Sequence, residues 1–183
     1  MDRGALPLNL GEVRDWLRLG TGDGDARAAA LIRVAADLCE AFTGQMLLVR
    51  GVVEERDAAA GWMPLLRRPL VAVDGVDALG AAGAGTPLPA DAWDVRGDGG
   101  GGAAAAVRLH GALPPRIRIR YRAGLADHGA ALPDALRHGL MRLVQHLHDD
   151  RADAGGDGAV AVPAIVAALW LPWRRVSLGG GGR

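Results

Sequence analysis

Seven consecutive residues, Arg116-Ile117-Arg118-Ile119-Arg120-Tyr121-Arg122, alternate a charged side chain with an apolar one without interruption. A helix would scatter these arginines around its axis, whereas a strand gathers all four on one face and Ile117, Ile119 and Tyr121 on the other. The segment therefore requires a sheet with one buried and one charged face, and the remaining chain must supply its neighbours and an apolar cover. A solvated outer face is the plain reading of the arginines. Four like charges about 7 Å apart also repel one another, so the stripe is a candidate contact surface for acidic groups of a neighbouring subunit or for a phosphate backbone. Subunit contact is favoured over DNA, because a sequence-independent DNA surface calls for net positive charge and interleaved aromatics, and the 183-residue chain balances 21 basic against 21 acidic side chains.

Short β-type runs precede this strand from Gln45 onward: Met46 to Glu54, Leu70 to Leu79, Trp93 to Val95 and Val107 to His110, separated by Gly, Pro and Asp. Ala81 to Gly85 and Gly97 to Gly102 carry almost no side chains to pack and read as mobile loops. Gly97-Asp98-Gly99 is only superficially like a dinucleotide fingerprint, since no amphipathic helix follows it.

Both ends of the chain are helical in pattern. Asn9 can cap a helix whose Glu12 reaches back to it, with Leu10, Val13 and Leu17 on one face and Gly20 as the stop. After the turn at Thr21 to Asp25, Asp25 is placed to cap a second helix, in which Ala28, Leu31, Ile32, Ala35, Cys39 and Phe42 follow the 3.6-residue period up to Gly44. Pro133 opens a third helix with the stripe Leu136, Leu140, Leu143, Val144 and Leu147, running to about Asp150; Asp153 to Gly158 reads as a flexible link. Pro163 opens a final short helix carrying Ile165, Val166, Leu169 and Trp170, which Pro172 ends. The order predicts an α+β fold in which N- and C-terminal helices form a small bundle with an inserted small β-sheet. It is read as one domain over 1–183: a helical pair 10–44, a β insertion 45–124, C-terminal helices 132–171 and an extended arm 172–183.

Composition argues against catalysis. All 21 basic residues are arginine, which removes a Walker-type phosphate lysine and a Schiff-base amine. Ser177 is the only serine and Cys39 the only cysteine; Cys39 falls on the buried stripe of its helix and reads as a structural thiol. His146 and His148 with Asp149 and Asp150 suggest a metal site, but His-x-His on a helix turns the two rings about 200° apart, and His138 lies too far along the axis from His146 to share an ion. Neither catalytic residue, cofactor nor metal is expected. No apolar run is long enough for a membrane span and no basic-then-apolar leader opens the chain, so the protein reads as soluble and unexported.

The segment Leu171-Pro172-Trp173-Arg174-Arg175-Val176-Ser177-Leu178 is too apolar for an idle tail, and Trp and Arg are enriched where interfaces concentrate their binding energy. Two readings stand level: the tryptophans fold back onto the domain, or an extended arm docks in a partner's groove. The candidate partner-binding residues are Trp170, Trp173, Arg174, Arg175, Val176 and Leu178. Arg116, Arg118, Arg120 and Arg122 are the candidates for a subunit interface or channel lining.

Five patterns occur in a telling order: Glu12 to Leu19 followed by Ala35-Ala36 through Phe42-Thr43-Gly44; Arg68-Pro69-Leu70-Val71-Ala72-Val73; Trp93-Asp94-Val95; Arg118 to Tyr121-Arg122-Ala123-Gly124; and Leu132-Pro133-Asp134 through Val162-Pro163 to Val176. From about Leu10 to Leu178 the chain resembles the head-to-tail connector, or adaptor, proteins of long-tailed phages and of phage-derived gene transfer agents. The resemblance implies a structural protein of the particle's head-tail interface, assembled in the bacterial cytoplasm. Its implied partners are the portal protein, the next tail component (a stopper) and copies of itself in a ring of about twelve subunits. DNA would pass through the ring's channel without specific recognition, and no membrane is involved. It further implies that the carboxy-terminal segment reaches toward the portal and that the helices make ring contacts. The alternative function is a non-specific nucleic-acid-binding module using the Arg116–Arg122 strand.

Overall fold

The computed structural model describes residues 5–19, 24–80, 83–97, 104–153 and 162–175. The chain divides into two compact units, one formed by the central segment from Val49 to Leu125 and the other by the segments on either side of it. The fold is α+β, with the helices in the flanking segments and the strands in the insertion.

The helical unit holds α1 (Leu10–Leu17), α2 (Gly24–Thr43), α3 (Asp134–Asp153) and α4 (Ala164–Trp170). Asn9 caps α1 as its side chain suggests, its Oδ1 accepting from the Gly11 and Glu12 amides at 2.7 and 3.3 Å. Glu12 does not complete a capping box; its carboxylate takes a bond from Arg137 of α3 at 3.2 Å instead. The helix is closed by Arg18, which adopts the left-handed conformation at φ 52°, two residues before the expected stop at Gly20, which lies outside the described residues. In α2 the buried positions are Ala28, Leu31, Ile32, Ala35, Cys39 and Thr43, the expected stripe with Thr43 taking the place given to Phe42. Asp25 lies inside the first turn, where it favours the helix dipole, and the cap position falls outside the described residues.

All five apolar residues of the α3 stripe are buried. The helix runs three residues past the expected end, and the proposed link beyond it lies outside the described residues. In α4 only Val166 and Trp170 are buried, while Ile165 faces out. Pro172 does not end the helical path: a 3₁₀ turn, Leu171–Trp173, carries the chain through it, because a proline needs no amide partner in a first turn. Helix α2 packs on α1, α3 and α4, and α3 packs on α4. The unit is tied where the chain leaves and re-enters it, by a parallel bridge between Leu48 and Ala126.

Among the described residues the insertion contains two antiparallel sheets where the sequence suggested one. Strands β1 (Arg50–Asp57), β3 (Leu70–Leu79), β4 (Gly85–Pro87) and β7 (Arg116–Ala123) form a sheet in the order β1-β7-β3-β4. Strands β2 (Met63–Pro64), β5 (Trp93–Arg96) and β6 (Ala106–Leu109) form a second in the order β2-β6-β5. The run expected from Met46 is displaced: Met46, Leu47 and Leu48 are buried in the helical unit, and pairing starts only at Arg50. Gly85 belongs to β4; the rest of the Gly-rich stretches falls largely outside the described residues.

Strand β7 is central, and its alternation is realised as read: Ile117, Ile119, Tyr121 and Ala123 are buried. Strand β3 meets it with two bulges, at Val71 and Asp74. The bulge at Asp74 resets the side-chain parity, so Val76 pairs with Ile119 on the buried face and Asp77 pairs with Arg118 on the charged one. Among the described residues no helix is long and apolar enough to cross a membrane.

Candidate functional site

The arginine stripe of β7 is matched within its own sheet. Arg118 donates from Nε to Glu55 Oε1 at 2.8 Å, and its Nη2 lies 2.7 Å from the same oxygen. Arg116 reaches the other oxygen of Glu55 at 3.5 Å and Asp57 at 3.9 Å. Arg120 pairs with Asp77 at 2.9 Å, and Arg122 with Asp74 at 3.3 Å. Strand β1 supplies two of these carboxylates and β3 the other two, one of them through its bulge.

Four arginines thus face four carboxylates, and the repulsion expected along the strand is relieved without a neighbouring subunit or a phosphate chain. Glycines make room for the guanidinium groups: a β-carbon on Gly75 would come 2.9 Å from Arg120 Nη2, and one on Gly85 3.4 Å from Arg118 Nη1. A surface so balanced has little long-range pull on a polyanion.

The opposite face contains a carboxylate that alternation did not reveal. Glu54 is buried beside Tyr121, whose hydroxyl donates to Glu54 Oε2 at 3.1 Å. The same oxygen accepts from the Leu66 amide at 3.2 Å, and the Tyr121 oxygen accepts from the Arg67 amide at 3.1 Å. Arg56 approaches Glu54 Oε1 at 3.5 Å and also donates to the Pro64 carbonyl at 2.8 Å. Burial, helped by the Glu54 charge, pushes the Tyr121 hydroxyl well above its ordinary range despite the Arg67 amide. This node secures the 64–67 loop and has no reacting partner in it.

On the second sheet, Trp62 lies between Arg96 and Arg108, their guanidinium carbons 4.9 and 4.8 Å from its ring. Asp94 pairs with Arg108 at 2.5 Å and His110 at 3.1 Å, and bonds from these two hold its carboxyl below the usual range.

The candidate partner-binding residues of the carboxy-terminal segment separate into different environments. Trp170 is wholly buried, its ring 5.9 Å from that of Phe42, so it serves the core and is withdrawn from any surface a partner can reach. The backbone after it folds back onto the end of α2: the Gln45 side-chain amide donates to the Trp173 carbonyl, and the Arg175 amide donates to Thr43 O at 2.8 Å. Arg174 lies over the Phe42 ring at 5.6 Å. Of the two readings of this segment, folding back describes Trp170 and the chain from Trp173 to Arg175, while both arginine side chains are exposed. Val176 and Leu178 lie outside the described residues. Gln45 is the residue that sequence reasoning passed over, since a lone Gln after a helix stop carries no pattern.

Two of the three histidines of α3, His138 and His148, have local partners. His138 Nε2 accepts from Arg142 Nε at 2.9 Å, and His148 Nδ1 lies 3.5 Å from Asp149 Oδ1. Among the described residues no three His, Cys, Asp or Glu side chains are grouped to hold a metal ion. Cys39 is buried, and burial with the adjacent Glu40 charge pushes its thiol far up, away from the thiolate that nucleophilic chemistry needs.

No family model and no curated protein matches the chain. Solved structures do. The chain is similar along nearly its whole length to chains of gene transfer agent particles. A chain of the virion of a native particle is 29% identical, with a TM-score of 0.76 over 99% of this chain and 97% of that one. A chain of the neck of an empty particle, computed with C6 symmetry, is 29% identical with a TM-score of 0.76 over 96% and 93%. A chain of the neck of a native particle, computed with C12 symmetry, is 29% identical with a TM-score of 0.74 over 97% and 92%. Likeness of this extent takes in both the helical unit and the insertion.

Proposed function

We propose that the chain is a structural component of the neck of a gene transfer agent or related phage particle, and within it the head-tail connector that forms a ring beneath the portal. The observation that carries the reading is the end-to-end likeness to neck and virion chains of gene transfer agent particles, at 29% identity and TM-scores of 0.74 to 0.76. The C12 and C6 symmetries of those necks support a ring of about twelve copies, closed by heterologous contacts between neighbours. In this reading the single connector chain extends the DNA channel, joins capsid to tail by contacting the portal on one side and the next tail component on the other, and performs no catalysis. DNA passes without specific recognition; the self-neutralised β7 face supports this over a nucleic-acid-binding module. The portal contact is assigned to Trp173, Arg174, Arg175, Val176 and Leu178, and the ring or channel contact to the β7 face.

The test is to mix the protein with the portal protein encoded in the same genome and image the product. An axial ring on the portal is expected from the full chain, and a variant truncated before Trp173 should lose it. Particles lacking the ring, or a full chain that stays apart from portal at micromolar concentration, would overturn the assignment.

A further inference from the structure

The step Phe42-Thr43-Gly44 closes α2, and this end of the helix receives the chain again at Trp173 to Arg175. Thr43 offers its carbonyl to the Arg175 amide at 2.8 Å. The Gln45 side chain, itself buried, donates to the Trp173 carbonyl, and Phe42 presents its ring to Arg174 at 5.6 Å. Gly44 sits at φ +69°, and a β-carbon there would come 2.9 Å from the Arg175 carbonyl oxygen. Glycine is therefore needed twice at this point, for the left-handed turn and for the close approach of a second backbone.

We infer that Phe42 to Gln45 form a clasp that holds Trp173 to Arg175 in place before any partner arrives, and that the clasped segment presents Arg174 and Arg175 to carboxylates of an acidic protein surface. The charge argument is internal to the molecule. Each arginine on the β7 face has a carboxylate of its own chain, whereas Arg174 and Arg175 are exposed and, among the described residues, pair with none. Beside them Leu171 is 59% exposed, so the surface combines two guanidinium groups with an apolar edge, the composition that interfaces favour. Fixing the backbone beforehand removes an ordering cost that a loose arm would meet on docking.

The partner's identity rests on the portal reading, but the clasp is a property of the isolated chain and is tested there. Amide hydrogen exchange of the full chain should find the Arg175 amide protected. Gln45→Leu should speed its exchange about fivefold, the equivalent of one net hydrogen bond, and Gly44→Ala should speed it further. An Arg175 amide that exchanges as fast in the wild type as in an unfolded chain overturns the clasp, and Gln45→Leu keeps the test decisive if Gly44→Ala fails to fold. Arg175→Ala, which removes a side chain the clasp does not use, should leave that protection unchanged yet weaken binding to the portal protein and flatten its salt dependence. Equal binding by this variant overturns the acidic-surface assignment. Protection without any portal binding by the wild type overturns the portal reading and leaves the clasp standing.

Discussion

The indole of Trp170 rests on the bare α-carbon of Gly139: a β-carbon at position 139 would collide with Nε1 and come 2.9 Å from Cδ1. Helix α4 can approach α3 this closely only because α3 carries no side chain at Gly139. Gly139→Ala gains about 1 kcal/mol in helix propensity but overfills a close-packed contact at about 1–3 kcal/mol. A net loss of about 1 kcal/mol is expected, read as a lower urea midpoint with an unchanged slope. A higher midpoint would mean that the two helices are not in contact at this point.

Tyr121 and Glu54 should be energetically coupled. Removing the hydroxyl in Tyr121→Phe leaves a buried carboxylate oxygen and the Arg67 amide each short of a partner, an effect of about 1–3 kcal/mol. Unfolding of the two single variants and of the double variant with Glu54→Gln measures the coupling. Strict additivity would show that the node contributes nothing beyond packing.

The same residue sets an alkaline limit. Burial raises the Tyr121 pKa above its ordinary 10.0, so the folded state retains the phenolic proton after the unfolded chain begins to lose it. Stability should then be unaffected by this group below about pH 10 and fall as pH climbs above it. Tyr121 is the only tyrosine, so absorbance titration near 295 nm reads it alone, and ionisation at the ordinary value in native protein would refute its burial.

What the sequence made legible is what short-range periodicity encodes. The β7 alternation and the α3 stripe each repeat one period long enough to leave a single geometry, and they appear as read. The run Met46-Leu47-Leu48 is equally apolar but belongs to the helical unit, where the Leu47 amide is held by Glu40 Oε1 at 2.9 Å; an apolar run does not state which core it enters. Val53 is 64% exposed while Glu54 is buried, an inversion explained by partners beyond its own strand, the Tyr121 hydroxyl 67 residues away and the Leu66 amide 12 residues away. The arginine stripe looked uncompensated because its carboxylates lie on two other strands. One pair, Arg122 with Asp74, depends on a bulge that no residue type announces. Strand β2, two residues long and ending in Pro64, carries too little pattern to reveal the second sheet.

Cys39 should be inert in the native protein. Its thiol is buried and held protonated by burial and by Glu40, so modification requires opening of α2 from its neighbours. Labelling by a neutral disulfide reagent should be absent over minutes in buffer and complete in denaturant. Its rate should track the unfolding midpoint across a denaturant series, and rapid labelling of the folded chain would contradict the placement of this helix face.

The β7 face offers a gain-of-function test of its own neutrality. At physiological salt the wild-type chain should not shift the anisotropy of a labelled random duplex, since each guanidinium already has a carboxylate. Substituting the exposed acids, Glu55→Gln, Asp57→Asn and Asp74→Asn, leaves three more positive charges uncompensated on one side of the sheet. Binding should then appear at low salt and vanish as salt rises, with a log–log slope no steeper than about −3. Adding Arg118→Ala and Arg122→Ala to the triple variant should abolish it. Duplex binding by the unmodified chain at physiological salt, lost in the arginine variants, would instead mean that the carboxylates yield to phosphate and that the strand is a nucleic-acid surface after all.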